Sequence, residues 1–588
     1  MATITPADRT APPEIDVEKK DHVDQVTEIN DDLKSDSDSS SAHKQDGVKK
    51  VEAVTSVWTK KTLIIMFVLL YLVSFVDMLI VGVQTNLNPY VTSAFSQHGL
   101  LATTSIVASI LGGSSSLAMA KLIDIWGRTE GFMAMLLLVT IGLIMKATCQ
   151  NVATYAAAHT LYWTGHLNLL YVIDVVIADM TSLRNRMLML TLNGTPTIAS
   201  TFAGPAIAEL FYTQSNFRWA FGAFCIILLG FGLPTSLVLL LNQRKAAKFG
   251  MLPEKTHDRT PVQSIKHYVL EFDVVGIILI TAAFSLILLP FSLASSSGDK
   301  WASASIITMI VMGVFSLVLF IVHERFWAPV PFMPFHYLKE RTIIGSCILY
   351  GVMFISIFCW DAYYSSYLQV VHNQSITHAG YILNSFSLTS SFISPFVGLL
   401  IRHTGEFKWT SYAGLPFVVL GTALLIPLRQ PSTHVGLLVM CQVFMGIGTG
   451  IWATCGQLAV MASVSHQQIA VAIAIWGLFG SIGASVGLTI AGGLWTNVLP
   501  AALVRELPEG SKDLAASIYS SLVIQQEYPI GTEIRDAIIR AYADVQRKMV
   551  IAGAGFIPVL LIAIFMWKNI NVKKLEEARG TQTKGTIW

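Results

Sequence analysis

Charge is scarce in this chain. Only 13% of its 588 residues are Asp, Glu, Lys or Arg, whereas a soluble domain carries about a quarter. That shortage excludes an ordinary water-soluble fold of this length. An excess of either sign is missing too. The 39 basic and 37 acidic residues leave +2, so no nucleic-acid partner is written in the charge balance. Cysteine is sparse: Cys149, Cys225, Cys347, Cys359, Cys441 and Cys455 lie in or at the edge of apolar runs, and none is paired at metal-ligand spacing. Packed thiols, without disulfides or a directly bound metal, are the expectation. No phosphate-binding loop is present, because neither a strand nor Lys-Ser/Thr follows Gly446-Ile-Gly448-Thr-Gly450. No nucleophile–base cluster stands out, so neither an enzyme nor a cofactor is expected. An apolar h-region is also missing from the start, which excludes a cleaved signal peptide. Residues 1–57 are polar and acidic, with the run Ser35-Asp36-Ser37-Asp38-Ser39-Ser40-Ser41. Such a segment cannot bury enough apolar surface to fold, and reads as a disordered cytoplasmic tail, phosphorylated or merely solvating.

What the chain has instead is length of apolar sequence. Hydrophobic residues make up 53%, and a helix needs about 20 of them in a row to cross a bilayer. Fourteen such runs occur, near 62–82, 100–120, 131–150, 154–178, 188–212, 217–241, 272–294, 302–323, 343–364, 379–401, 410–428, 435–461, 469–494 and 549–568. Backbone polar groups cannot stay unpaired in lipid, so the expected fold is an all-α membrane protein with fourteen spans. Basic residues set its direction. With the N-terminus inside, Lys121, Arg128, Arg184, Arg186, the cluster Arg244 to Lys266, Arg325, Lys339, Arg341, Arg402 and Lys408 fall in cytoplasmic loops. The outer loops hold little beyond Lys146, Arg218, Lys300 and Arg429. Both tails are then cytoplasmic. The divisions expected are a tail, 1–57; a six-helix half, 58–241; a linker with two extra spans, 242–341; a second six-helix half, 342–568; and a tail, 569–588. The second half contains a long outer loop, 495–548, where Ile534, Ile538, Ala541 and Val545 repeat at helical spacing. That helix could lie on the membrane or cap the outer mouth.

A charge inside a span costs about 2.5–3.5 kcal/mol on insertion scales, so buried acids are site candidates by default. Asp77 interrupts the first span, Asp174 the fourth, Glu209 the outer end of the fifth and Asp361 the ninth. Asp77 and Asp361 lie roughly 24 and 30 Å up their helices from the preceding basic residue, in the outer half or at the rim. Trp360, Tyr363, Tyr364 and Tyr367 surround Asp361. These are candidates for substrate binding or gating, weighed against an interfacial aromatic belt. His159, Trp163, His166 and Asp174 fall near one face of the fourth span, a pattern suited to a proton relay or to hydrogen-bonded packing. Asp174, Glu209 and His166 are the proton-coupling candidates. Gly477, Gly480, Gly483 and Gly487 read as a helix-packing face, and Asn373-Gln-Ser375 as a glycosylation sequon on the outside.

Ala120-Lys-Leu-Ile-Asp124-Ile-Trp-Gly127-Arg128 joins the second and third spans. It resembles the signature loop of the major facilitator superfamily, with Ala120 in place of the leading Gly. The resemblance implies that Asp124, Gly127 and Arg128 act as a conformational switch. A narrower resemblance, over roughly 60–570, is to the fungal siderophore–iron transporters, a fourteen-span branch of that superfamily. It is carried by Ile177-Ala178-Asp179 through Arg186, Phe217-Arg218-Trp219, Phe272-Asp273, Trp360-Asp361-Ala-Tyr363-Tyr364, Tyr367 to Ser375, Ser465-His466-Gln467-Gln468, Trp495-Thr496-Asn497 and Tyr542. It implies two six-helix halves with two intervening helices. It also implies uptake of ferric siderophores, usually hydroxamates, by proton symport at the plasma membrane, with endosomal vesicles as a second location. Tyr542, in the last outer loop, is implied to assist substrate capture. The expected partners are the siderophore, protons and lipid. A neutral ferric complex gains nothing from membrane potential, whereas one proton supplies about 2.3 kcal/mol per 100 mV. A drug–proton antiporter of the same fold is the first alternative, although Ala208 and Glu209 stand where the glycines following Gly204-Pro205 would be. A non-transporting siderophore sensor is the second.

Overall fold

The chain is described by a computed structural model over residues 58–249, 260–294, 300–329, 335–464 and 468–579. The expected N-terminal tail and Ser465-His466-Gln467 lie outside these residues. All regular structure among the described residues is helical, with one isolated bridge between Glu406 and Asn571. Thirteen of the described helices are long and apolar enough to cross a bilayer.

The first half is built from α1 (Lys60–Ala94), α2 (Leu101–Ile125), α3 (Arg128–Thr148), α4 (Val152–Met180), α5 (Leu183–Asn193), α6 (Pro196–Gln214) and α7 (Phe217–Lys248). The run expected as one span near 188–212 is two helices, α5 and α6, and is not among the thirteen. The break falls at Gly194-Thr195, where Pro196 has no N–H to continue a ladder but suits the first turn of a new helix. After the short amphipathic α8 (Pro261–Glu271), the two extra spans are α9 (Val274–Leu288), with its one-turn extension α10 (Pro290–Leu293), and α11 (Ala304–Val322). They pack on each other and on one flank of the molecule. The second half comprises the short α12 (Phe335–Lys339), then α13 (Arg341–Asp361), α14 (Tyr364–Val371), α15 (Ile376–Thr404), α16 (Phe407–Leu428), α17 (Val435–Ala462), α18 (Ile469–Glu506), α19 (Ala515–Ser520), α20 (Leu522–Glu527), α21 (Glu533–Ala554), α22 (Ile557–Phe565) and α23 (Val572–Arg579). Two seams join the halves: α2 runs along α18, and α5 with α6 runs along α15.

Local sequence explains many of the starts. Asn151, Asn216, Ser375 and Thr532 each accept a backbone N–H from the first turn of α4, α7, α15 and α21, satisfying donors the helix leaves unpaired. Gly127 turns α2 into α3 at φ 122°, a conformation that a side chain would strain. The large residues Ile226, Ile562 and Phe565 are exposed, an outward apolar surface that makes sense only against lipid.

The two ends of the bundle differ. One carries the starts of α4, α7 and α15 and the segment 507–532; we call it the loop face. The other carries Arg184, Arg402, Lys568 and α23, and is the basic face. The long loop is shorter than its polarity implied. Helix α18 continues to Glu506, and α21 runs almost directly into the last span through α22, leaving about half of 495–548 as connection. Helix α21 does not lie on the membrane. It packs on α13, α14, α16 and α18 with Ile538, Ala541 and Val545 fully buried, so it caps the second half.

Gly483 makes a contact that no larger residue allows. A β-carbon on Gly483 of α18 would fall on the Gly351 carbonyl of α13. Gly483→Val should therefore cost about 1–3 kcal/mol by overpacking, read as a lower melting temperature of the purified protein. A variant that melts like the wild type would mean that the two helices can separate freely.

Candidate functional site

The halves enclose two cavities in series. The larger, about 340 Å³, lies toward the loop face and is walled by Gln84, Asn88, Ser105, His159 and Trp163 from the first half and by Phe358, Asp361 and Asn384 from the second. The smaller, about 210 Å³, lies toward the basic face and is walled by Tyr171, Asp174, Tyr350, Gln457 and Trp476. Ser109, Trp163, Phe354 and Phe358 border both. Three aromatic side chains and a serine thus form the partition.

The candidate acids are dispersed over this frame. Asp361 ends α13 and lines the larger cavity. Asp77 does not line it. Helix α1 extends to Ala94, well past the expected end near 82, so Asp77 sits at mid-helix rather than in the outer half or at the rim. There it is fully buried with Oδ2 2.6 Å from His166 Nδ1. These two candidates, read separately from sequence, are one pair. Asp174 lines the smaller cavity and accepts from Gln457 Nε2 on α17 at 3.3 Å, bridging the halves. It is not part of a continuous file with the histidines: His166 turns to Asp77, whereas His159 and Trp163 face the larger cavity. Glu209 is neither in a cavity nor beside one of the other acids. Its Oε2 accepts the Thr377 backbone N–H at 2.8 Å, in the first turn of α15, where a negative charge meets the positive end of the helix.

The aromatic candidates form the loop-face closure rather than the cavity wall. Tyr363 stacks on Trp495 of α18 at 3.9 Å and donates to the Gly99 carbonyl at 3.0 Å. His98 meets both rings edge-on, and Tyr542 presents its edge to Trp495 at 5.1 Å while donating to Gln525. Tyr542 is fully buried, so it packs the closure and offers no surface. Tyr519 lies against Gly99, and burial pushes its phenol up to about 12, which keeps it protonated. Trp360, Tyr364 and Tyr367 instead enclose the Arg429 guanidinium, which lies 3.8 Å from the Tyr364 ring centre and donates to Gln546 of α21 at 2.9 Å. The closure is tied across the halves by Tyr90 donating to Gln369 and by Glu209 on α15. Asn373, the sequon residue, is exposed on the loop face at φ 50°.

On the basic face Arg128 bonds Asp124 at 2.8 Å and Asp179 at 3.0 Å. The expected switch loop is a three-charge cluster, and its third member belongs to α4. Sequence reasoning missed Asp179 as a partner, although it opens a conspicuous Asp-Met-Thr-Ser-Leu-Arg run. It also placed Lys146 and Arg429 in outer loops; both are fully buried. Each lies in or just past the last turn of a span, where hydropathy cannot distinguish a side chain that reaches water from one that turns inward.

Removing the Glu209 tie should loosen the closure. Loss of about 1 kcal/mol is about a fivefold shift in the open fraction. In an Ala362→Cys background, Glu209→Ala should raise cavity labelling by a hydrophilic maleimide several-fold in purified protein; an unchanged rate would mean that the contact does not hold the halves together.

The geometry now meets its relatives. Residues 24–427 match a sequence model described as the fungal trichothecene efflux pump family. The chain is 56% identical over 563 residues to MFS siderochrome iron transporter 1 of Ajellomyces capsulatus, covering 96% of this chain and 97% of that one. It is 42% identical to MFS siderochrome iron transporter D of Aspergillus fumigatus, with 92% and 90% covered. It is 39% identical to siderophore iron transporter mirB of Emericella nidulans, with 93% and 90% covered. Among solved structures, the human organic anion transporter MFSD10 superposes with a TM-score of 0.51 at 13% identity, covering 87% of this chain and all of that one. A bacterial homologue of the lysosomal transporter Spinster, inward-facing and occupied, also gives 0.51, at 14% identity with 86% and 97% covered. These last two share the fold alone. The chain belongs to the fungal siderochrome iron transporters of the major facilitator superfamily, within the group that the trichothecene efflux pump model covers.

Proposed function

We propose that this protein takes up intact ferric siderophores of hydroxamate type across the plasma membrane, driven by proton entry, with the loop face outside and both tails in the cytoplasm. The observation that carries the reading is the larger cavity: a chamber between the halves walled by amides, hydroxyls and aromatic rings, with Asp361 its one carboxylate among the described residues. Such a wall suits a bulky, neutral, oxygen-rich complex. It provides hydrogen-bond donors for peripheral oxygens and aromatic area for the ligand backbone, without a cluster of charge to repel or trap it. The names of the relatives point to the same cargo. At about 340 Å³ the cavity is near the small end of the roughly 300–1,000 Å³ of ligand sites. We therefore assign this closed form to a state in which loop-face entry awaits release of His98 and Gly99 of the first half from Tyr363 and Trp495 of the second.

The name of the matching family model favours a second reading, export of a compound by proton exchange. The two differ in direction. In cells lacking other siderophore carriers, the first reading expects accumulation of radiolabelled ferric siderophore that collapses when a protonophore dissipates both pH gradient and potential. Net loss of preloaded compound, or accumulation indifferent to the protonophore, would reject proton-driven uptake.

Asp361 is assigned to substrate contact. A hydrogen bond to a charged group is worth about 1.5–3 kcal/mol, so Asp361→Asn should raise the half-saturation concentration about tenfold or more at matched surface expression. Unaltered half-saturation would remove Asp361 from the substrate site.

A further inference from the structure

Lys146 is the least expected side chain in the first half. It sits in the last turn of α3 with no exposure, and no carboxylate pairs with it among the described residues. Its Nζ instead donates to Gln84 of α1 and lies 2.9 Å from His159 Nδ1 of α4. Three rings close around it: Tyr162 at 4.5 Å, Phe221 at 5.2 Å and Tyr155 at 5.3 Å. An amine that keeps a permanent charge inside a membrane protein costs several kcal/mol unless an anion offsets it. Here rings and neutral acceptors do so only in part. Such an amine is poised to exist in both protonation states.

His159 gives it a route to the substrate. While Lys146 is an ammonium group it can only donate, so His159 Nδ1 must accept and Nε2 must carry the imidazole proton. Nε2 is 3.4 Å from Ser105 Oγ, and both His159 and Ser105 line the larger cavity, as does Gln84. One imidazole thus separates the cavity from the buried amine.

We propose that Lys146 and His159 form the binding site of the transported proton. This rests on the proton-symport reading above. In the empty state Lys146 is a neutral amine accepting from His159 Nδ1–H, and Nε2 is an acceptor toward the cavity. A proton arriving from cavity water binds Nε2, and the Nδ1 proton passes to Lys146 Nζ. One proton has been taken up and none lost. The load is felt by substrate through Gln84, which faces the cavity and accepts from Lys146. The other ionisable groups around the pair are Tyr155, Tyr162 and His166 on α4, Asp77 on α1, Cys149 at the end of α3 and Arg218 on α7. Asp77 is occupied by His166, and Arg218 donates to the Cys149 carbonyl at 2.9 Å, so neither bonds Lys146.

The test compares accumulation with exchange. At 100 mV one coupled proton supports about a fifty-fold gradient. Lys146→Met, which keeps length without a titratable group, should drop steady-state accumulation of a labelled ferric hydroxamate toward unity and flatten its dependence on external pH. Substrate exchange in preloaded cells, which needs no net proton movement, should fall far less. Where Lys146→Met does not reach the surface, His159→Gln carries the test, since it keeps an acceptor for Lys146 but cannot pass a proton. Wild-type accumulation in either variant overturns the assignment, as does equal loss of exchange and accumulation at normal surface level. So does Asp174→Asn abolishing accumulation while Lys146→Met preserves it. A wild type indifferent to a protonophore would instead sink the symport reading itself, a separate result.

Discussion

A polar group in hydrocarbon has no water to pair with, and each feature of this molecule answers that constraint. The backbone answers by coiling, so among the described residues there is no sheet. Helix starts answer with Asn, Ser and Thr caps on the loop face. The few charges admitted to the interior answer by finding partners on neighbouring helices: Asp77 on His166, Arg128 between Asp124 and Asp179, Arg429 in a ring of aromatics with Gln546. A partner on a neighbouring helix becomes a constraint on how the helices move. In a transporter built of two halves, the pairs that cross between the halves therefore determine which states are stable.

Those crossing pairs have a pattern. On the loop face they include aromatic contacts: the His98 ring stands edge-on to Tyr363 and Trp495, Tyr363 donates to the Gly99 carbonyl, and Tyr90 donates to Gln369. Farther toward the basic face they are single hydrogen bonds, Asp174 to Gln457 and Tyr171 to the Ala470 carbonyl at 2.9 Å. Packed rings lose contact area steeply when they part, whereas one hydrogen bond can be replaced by water at small cost. The loop-face closure should accordingly behave as a plug that is in or out, and the lower contacts as a seam that wets gradually. The partition of Trp163, Phe354 and Phe358 lies between the two, and a complex passing from one cavity to the other must displace it.

Much of the fold was legible in sequence because lipid imposes length and composition on anything exposed to it. Most of the apolar runs found their helices, and the glycine face of α18 found its close partner in α13. What was not legible lies where protein, not lipid, surrounds a helix. Helices α18 and α21 continue far past their apolar runs because their polar ends pack on one another, with Arg540 bonding Glu506 at 2.9 Å. Hydropathy ends a span where water would begin, and at the capped loop face it begins later. The same effect put Asp77 at the rim, and Lys146 and Arg429 in loops. Periodicity correctly put His159 and Trp163 on a common face, but it carries no information on which neighbour each would meet. It therefore could not separate His159, paired with a lysine thirteen residues earlier, from His166, paired with an aspartate on another helix.

Two buried pairs of ionisable groups within one half raise the question of why both exist. The Asp77–His166 pair joins an acid to a base: carboxylate Oδ2 and imidazole Nδ1 lie 2.6 Å apart and tie α1 to α4. The Lys146–His159 pair has no anion, so each proton gained adds a whole charge to a region of low polarity. Its loading is therefore sensitive to what else is present, including the carboxylate of Asp361 across the cavity and any acceptor oxygens that a substrate brings. A pair without an anion of its own responds to what a substrate brings, and that sensitivity is what proton symport would require of a proton site.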